Sequence, residues 1–144
     1  MVGRQKNEVF SAAQYYRSLD SGQMDAIGLQ ISTSGYRIDE VIQKLKEEGD
    51  SESVLYLQGL SDRIAEDMAD YLHNLLRDRI GIQKNSGTRY SPGYPAITNL
   101  ENNLKISRQL NASQIGILLT SAYEFSPTGS TAAVVCFHPD ASYI

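Results

Sequence analysis

Across residues 52–80, apolar side chains return every three or four positions: Leu57, Leu60, Ile64, Met68, Tyr71, Leu72, Leu75 and Leu76. That is the period of one face of an α-helix held for several turns. Asp62, Arg63, Glu66, Asp67, Asp70, Arg77 and Asp78 occupy the remaining faces, and Gly81 supplies a stop. Gly59 inside the run costs about 1 kcal/mol relative to alanine, which a helix of this length tolerates. The expectation is one long helix that buries the 57–76 stripe.

The elements around it are shorter. Residues 8–19 (VFSAAQYYRSLD) read as a brief helix followed by an SGQ turn. Residues 25–33 (DAIGLQIST) read as a strand, broken by Ser34-Gly35. Ile38, Val41, Ile42 and Leu45 keep the helical period until Gly49. Residues 83–96 form a loop, stiffened by Pro92 and Pro95. Residues 99–110 look helical, with Leu100, Leu104 and Leu110 inward. Residues 115–120 and 131–137 are β-branched and apolar and read as strands, with a turn at 126–129 (SPTG) between them. Helices cluster in the middle and strands lie at both ends. This order suggests an α+β domain with a largely antiparallel sheet, in which strand 25–33 meets 115–137 across the sequence.

Composition removes several function classes. At 144 residues the chain is one domain or a large piece of one, and can bury a core without disulfides or metal. Its formal net charge of -4 argues against nucleic acid or an anionic membrane as partner, because both attract a basic face. No apolar run approaches the ~18 residues of a membrane-spanning helix, and MVGRQKNEVF lacks the apolar centre of a signal peptide. Cys136 is the single cysteine, which excludes an internal disulfide and points to the cytosol. With His73 and His138 it makes a poor inventory for a transition metal, so no metal site is expected.

The candidate chemistry centres on residues 88–96, TRYSPGYPA. Arg89 in a proline-bounded loop loses little entropy on binding, and its planar fork takes both oxygens of a carboxylate. By itself it also reads as an ordinary surface arginine. Gly93 lets the backbone approach a flat ring, and Tyr94 offers a stacking face, though a turn with a packed tyrosine is the commoner reading. Glu66 is one acid among several on the helix, and composition does not separate it from Asp62, Asp67 or Asp70. His138-Pro-Asp140 could suggest acid–base work, but a turn is the simpler reading. No GxGxxG, P-loop or CxxC is present.

Three stretches carry a resemblance: residues 62–73 (DRIAEDMADYLH), 87–96 (GTRYSPGYPA) and 119–143 (LTSAYEFSPTGSTAAVVCFHPDASY), with 27–35 (IGLQISTSG) ahead of them. In order and spacing they resemble the C-terminal activation domain of cobalamin-dependent methionine synthase, which binds S-adenosylmethionine. The resemblance implies a twisted, mainly antiparallel sheet with flanking helices, covering about residues 10–143. It implies a module that presents the methyl donor to cobalamin on a partner domain, after flavodoxin or a similar reductase has reduced cob(II)alamin. Carried over by motif, Glu66 would hold the ligand ammonium and Arg89 its carboxylate. Ser91, Gly93 and Tyr94 would meet the adenine, largely through backbone groups, and Tyr143 would lie close by. No catalytic residue is implied.

The sequence departs from the family in ways that matter. The family domain is about twice this long, and its N-terminal half, with a ligand-binding aspartate, has no counterpart in these 144 residues. The residue after GYPA is Ile97 where the family has cysteine, and the corrin-binding motif DxHxxG is absent. The expectation is therefore a single activation-type domain, truncated on its N-terminal side. The competing expectation is an interaction or regulatory module that kept the fold and lost the ligand.

Overall fold

A computed structural model describes residues 11–83 and 86–142. Five strands are ordered around three helices: β1 (Gly28–Thr33), α1 (Tyr36–Glu48), α2 (Ser51–Ile80), β2 (Thr88–Tyr90), α3 (Asn102–Leu110), β3 (Leu118–Leu119), β4 (Phe125–Ser126) and β5 (Ser130–Cys136). The α+β class and the antiparallel sheet are as the sequence suggests.

β5 is the central strand of the main sheet. It pairs antiparallel with β1 from Gly28↔Val135 to Thr33↔Ser130, and with β2 on its other side, Arg89 opposite Val135. Strands far apart in sequence thus meet as expected. The 115–120 segment does not join them. Residues Ala112–Ile115 form a 3-10 turn, and the two-residue β3 pairs only with β4 in a separate hairpin. The 8–19 segment, where described, holds two 3-10 turns, Ala12–Tyr15 and Leu19–Ser21, rather than one helix. Both start on serines whose hydroxyls accept local backbone N–H groups, a competition that favours turns over helix propagation.

Both long helices end as the glycines foretold. Gly49 and Gly81 take left-handed conformations and return their N–H groups to carbonyls of the last turn. Asp50 caps α2 by accepting from Ser53 N–H at 3.1 Å. At 30 residues α2 is about 45 Å long.

The face that α2 buries differs from the expected one. Its buried residues are Ser61, Ala65, Ala69 and His73, spaced four apart. The predicted stripe lies to one side of that line: Leu57, Leu72 and Leu76 are half-buried, while Leu60, Ile64, Met68, Tyr71 and Leu75 are exposed. The reason is the strand opposite. The inward residues of β1 and the turn after it are Gln30, Ser32 and Ser34, which are polar. Ser32 Oγ donates to the Ala65 carbonyl at 2.8 Å, and Gln30 Nε2 donates to the Ala69 carbonyl at 3.1 Å. Ser34 and Ser61 share a hydroxyl–hydroxyl bond of 2.6 Å. Short side chains on the strand reach helix carbonyls only if the helix comes close, and only alanine and serine leave room for that. Gly129 completes the contact, since a Cβ there would collide with the hydroxyls of Ser61 and Ser34.

α3 shows the same displacement on a smaller scale. Asn103 and Ile106 are buried, Leu100 and Leu104 half-buried, and Leu110 exposed. Asn103 Nδ2 donates to the Tyr123 carbonyl at 3.0 Å, which ties α3 to the β3–β4 hairpin.

Overpacking the close face should cost more than trimming the exposed one. Ala65→Leu and Ala69→Leu are each expected to destabilise by about 1–3 kcal/mol. Leu60→Ala should fall below the ~2–5 kcal/mol of a buried leucine. Urea denaturation of the three variants checks the order, which reverses if the leucine stripe is the core.

Candidate functional site

About three turns of α2 face the edge strand β2. Glu66, Asp70, His73 and Arg77 follow at steps of four, three and four, so they share one side of the helix. In β2, alternate side chains point to opposite faces. Arg89 points towards α2. Thr88 and Tyr90 point away and hold the chain's C-terminal segment: Thr88 Oγ1 donates to the Ala141 carbonyl at 3.0 Å and Tyr90 Oη to the Ser142 carbonyl at 2.9 Å. Tyr90 packs with Cys136 and Ala141 in a small core, with Tyr15 and Tyr16 against it. Burial pushes its phenol up to about 12.

Arg89 is the charge around which the site is arranged. Its Nη2 lies 2.6 Å from Asp70 Oδ1 and 3.6 Å from Glu66 Oε2. Val135 opposite it anchors the strand, so the guanidinium projects from a paired backbone rather than from a free loop. The loop expected over 83–96 therefore contains a short strand, and that strand aims the arginine. Arg77 braces the same loop from the helix: its Nε donates to the Ser86 carbonyl at 2.7 Å and its Nη2 to the Gly87 carbonyl at 3.2 Å. Burial, then the charge of Arg89, lowers the Arg77 pKa.

Two cavities adjoin this contact. One, of about 350 Å³, is lined by residues including Glu66, His73, Arg89, Ser91 and Tyr94. The other, of about 470 Å³, is lined by residues including Asp62, Glu66, Ser91, Tyr94, Leu100 and Glu124. Glu66, Ser91 and Tyr94 belong to both, so the two read as lobes of one cleft between α2 and the loop after β2. Each lobe lies within the size range of small-molecule sites.

The loop is a tight turn. Gly93 N–H donates to the Ile97 carbonyl at 2.8 Å, and Ile97 N–H donates to the Tyr94 carbonyl at 2.9 Å. Gly93 has a φ of 90°, and a Cβ there would press on Leu100 at 3.1 Å, so glycine is required twice over. Two of the backbone groups expected to meet a ligand are thus spent within the turn. The Tyr94 ring stays exposed.

Of the six residues singled out in the sequence, Glu66, Arg89, Ser91 and Tyr94 meet at this cleft. Gly93 shapes the turn without lining it, and Tyr143 lies outside the described residues. Asp67, about a quarter-turn round α2 from that line, pairs with Arg63 at 2.9 Å. His138 and Asp140 form a turn, the Asp140 N–H donating to His138 Nδ1 at 3.2 Å, with Tyr15 against the imidazole. Sequence reasoning passed over Asp70, His73 and Arg77. The available signal was their place one, two and three turns beyond Glu66 on the same side. Among the described residues no cluster of potential ligands could hold a metal ion, and no helix is long and apolar enough to cross a membrane.

The family described as vitamin B12 dependent methionine synthase, activation domain, matches residues 2–144. The methionine synthases of Mycobacterium leprae and Mycobacterium tuberculosis are each 24% identical over 163 residues, covering 97% of this chain and 14% of the relative. The chain thus spans about a seventh of the length of these curated relatives. Among solved structures, the MetH reactivation domain bound to AdoHcy superposes with a TM-score of 0.82 at 26% identity, over 92% of this chain and 45% of that one.

His73 generates a prediction of its own. It is 5% exposed, and its Nε2 is buried without a hydrogen-bond partner. Burial, followed by the charges of Arg77 and Arg89, lowers its pKa from 6.5 to about 4. The folded chain keeps the ring neutral where the unfolded chain protonates it, so stability falls as pH drops from about 6.5 to about 4. Asp25, held low by the Arg17 N–H, and Asp50, held low by Ser53, act further down, below 3.8. Melting temperatures across that upper window should decline in the wild type and decline less in His73→Gln. Parallel curves would remove His73 as the cause.

Proposed function

The chain belongs to the vitamin B12 dependent methionine synthase activation domain family, and on that premise we propose that the α2–β2 cleft binds S-adenosylmethionine and presents its methyl group to cobalamin on another domain. The observation that carries this reading is the meeting of Glu66 and Arg89 at 3.6 Å on the wall of a cleft that continues to Tyr94. An amino-acid zwitterion needs one acid and one fork-shaped base side by side, and a nucleoside needs an aromatic face further along. AdoHcy in the related reactivation domain has the same two ends.

In this arrangement Glu66 accepts from the ligand ammonium and Arg89 donates to both carboxylate oxygens. Asp70, which holds Arg89 at 2.6 Å in the free protein, keeps the guanidinium oriented while one of its edges turns to the ligand. The ring of Tyr94 covers the adenine, and the backbone of residues 91–94 not spent on Ile97 reads its edge. No side chain acts as acid, base or nucleophile. The contribution is positioning: the sulfonium methyl is held where a reduced cobalt can take it, leaving S-adenosylhomocysteine. Cobalamin stays with its own domain of the synthase, and the electron comes from flavodoxin or a similar reductase. The single buried cysteine agrees with a reducing, cytoplasmic setting.

The second reading is a module that keeps the fold and binds no ligand. It draws on the Arg89–Asp70 pair, which already engages the arginine within the chain. Calorimetric titration separates the two. S-adenosylmethionine should release or absorb heat and S-adenosylhomocysteine should compete, with EDTA without effect; no heat and no thermal shift at millimolar ligand favours the second reading.

Site variants test the roles. Arg89→Ala removes a charge-assisted contact of about 1.5–3 kcal/mol, so affinity should fall roughly 10- to 150-fold. Arg89→Lys should recover part of that, since a point charge does not reproduce the fork. Glu66→Gln should weaken binding, while Asp67→Asn should not, because Asp67 lies about 100° further round the helix and is engaged with Arg63. Equal losses from Glu66→Gln and Asp67→Asn would mean that the acidic helix acts only as a diffuse field.

A further inference from the structure

The apolar stripe of α2 remains to be accounted for. Leu60 is 51% exposed, Ile64 37%, Met68 46%, Tyr71 64% and Leu75 36%. At roughly 100° per residue these five fall within an arc of about 80°. Between Leu57 and Leu75 that arc holds no charged residue. At the β1 end it opens into a mainly apolar groove of about 410 Å³, lined by residues including Leu29, Leu72, Leu75, Leu76 and Leu110, with Gln30 and Arg79 at its polar margin. Soluble monomers rarely carry a contiguous apolar patch beyond a few hundred Å², and larger ones mark interfaces.

We propose that a second copy of this chain covers the stripe, α2 packing antiparallel on α2 about a two-fold axis near Met68. The spacing is the first argument. Leu60 and Leu75 lie equally far from the middle of the stripe, and so do Ile64 and Tyr71; Met68 falls within one residue of it. A two-fold interface requires that residue i meet j and j meet i. A stripe that reads nearly the same in both directions meets that condition.

The repeat is the second argument. From Leu57 to Leu75 the steps are three, four, four, three and four, an average of 3.6. Such a stripe stays on one side of a straight helix, so two copies can touch along all of it without supercoiling. The contact length is roughly 27 Å. The area is the third. With Tyr56 at its margin, the exposed apolar side chain is on the order of the ~800 Å² per partner of a standard stable interface.

This pairing leaves the ligand cleft open. Glu66 and Asp70 stand roughly 120–160° around the helix from the centre of the stripe. Both copies keep their clefts accessible, so ligand titration and self-association are separable measurements.

Sedimentation velocity on the intact chain tests the proposal. The wild type should sediment as a dimer, twice 15.9 kDa, at about 100 μM and dissociate on dilution. Ile64→Glu and Tyr71→Glu, both at exposed positions, should each weaken the dimer at least tenfold with an unchanged far-UV spectrum. Met68→Cys should form a disulfide-linked dimer on mild oxidation, far faster than Val41→Cys on the exposed side of α1; Cys136 is buried and should not cross-link. A wild type that stays monomeric at about 100 μM overturns the proposal. A dimer indifferent to both glutamates, or equal cross-linking at positions 68 and 41, overturns it as well.

Discussion

The close approach of α2 to β1 is the contact on which the rest of the molecule depends. It is made by residues that carry little apolar surface: Ser61, Ala65, Ala69 and His73 on the helix, Gln30, Ser32 and Ser34 from the strand side. Each helix carbonyl already accepts one bond within α2 and uses its second lone pair for a strand side chain. The geometry follows from short reach. A serine hydroxyl bonds a helix carbonyl at 2.8 Å only when helix and sheet are nearly in backbone contact. That distance sets the height of α2 above the sheet, and with it the distance from Glu66 and Asp70 to a side chain rising from β2.

The charge system at the cleft is a consequence. β5 holds β2 in register, so the side of Arg89 is decided by alternation: Thr88 and Tyr90 take the face that anchors residues 141–142, and Arg89 takes the face of α2. Once there, it meets two carboxylates spaced one turn apart. Arg77 sits two turns beyond Asp70 and fastens the loop backbone, while the neutral His73 between them adds no further charge. A positive group with two acids is suited to exchange: one acid holds it at 2.6 Å, and the other stands off at 3.6 Å.

The long helix serves two surfaces with two kinds of residue. Small side chains face the sheet and large apolar ones face outwards, which inverts the usual order of an amphipathic helix. Hydrophobic period alone does not reveal this, because it reports that an apolar face exists and not what covers it. The same limit explains α3, where Asn103 is buried because it bonds the Tyr123 carbonyl, while Leu110 remains exposed.

What the residues settled locally was the extent of the helices. Gly49 and Gly81 end them because glycine adopts the left-handed cap at little cost, and the 3.6-residue period filled the space between. The β-branched run of β5 and the tight turn at Gly93 were legible for the same reason, since each depends on neighbours in the chain; Glu66 and Arg89 were singled out only by the resemblance of the motifs around them. Three things were decided only by the fold. The buried face of α2 was chosen by the polar inner side of β1, which packs directly on the helix but lies more than thirty residues away in sequence. The 115–120 segment lost its place in the main sheet because β1 and β2 already occupy the two edges of β5. Asp70 became the close partner of Arg89, out of several equivalent acids, because strand register and helix height together brought one carboxylate to 2.6 Å. Each of these turns on a distance between segments at least 19 residues apart, and no local preference encodes such a distance.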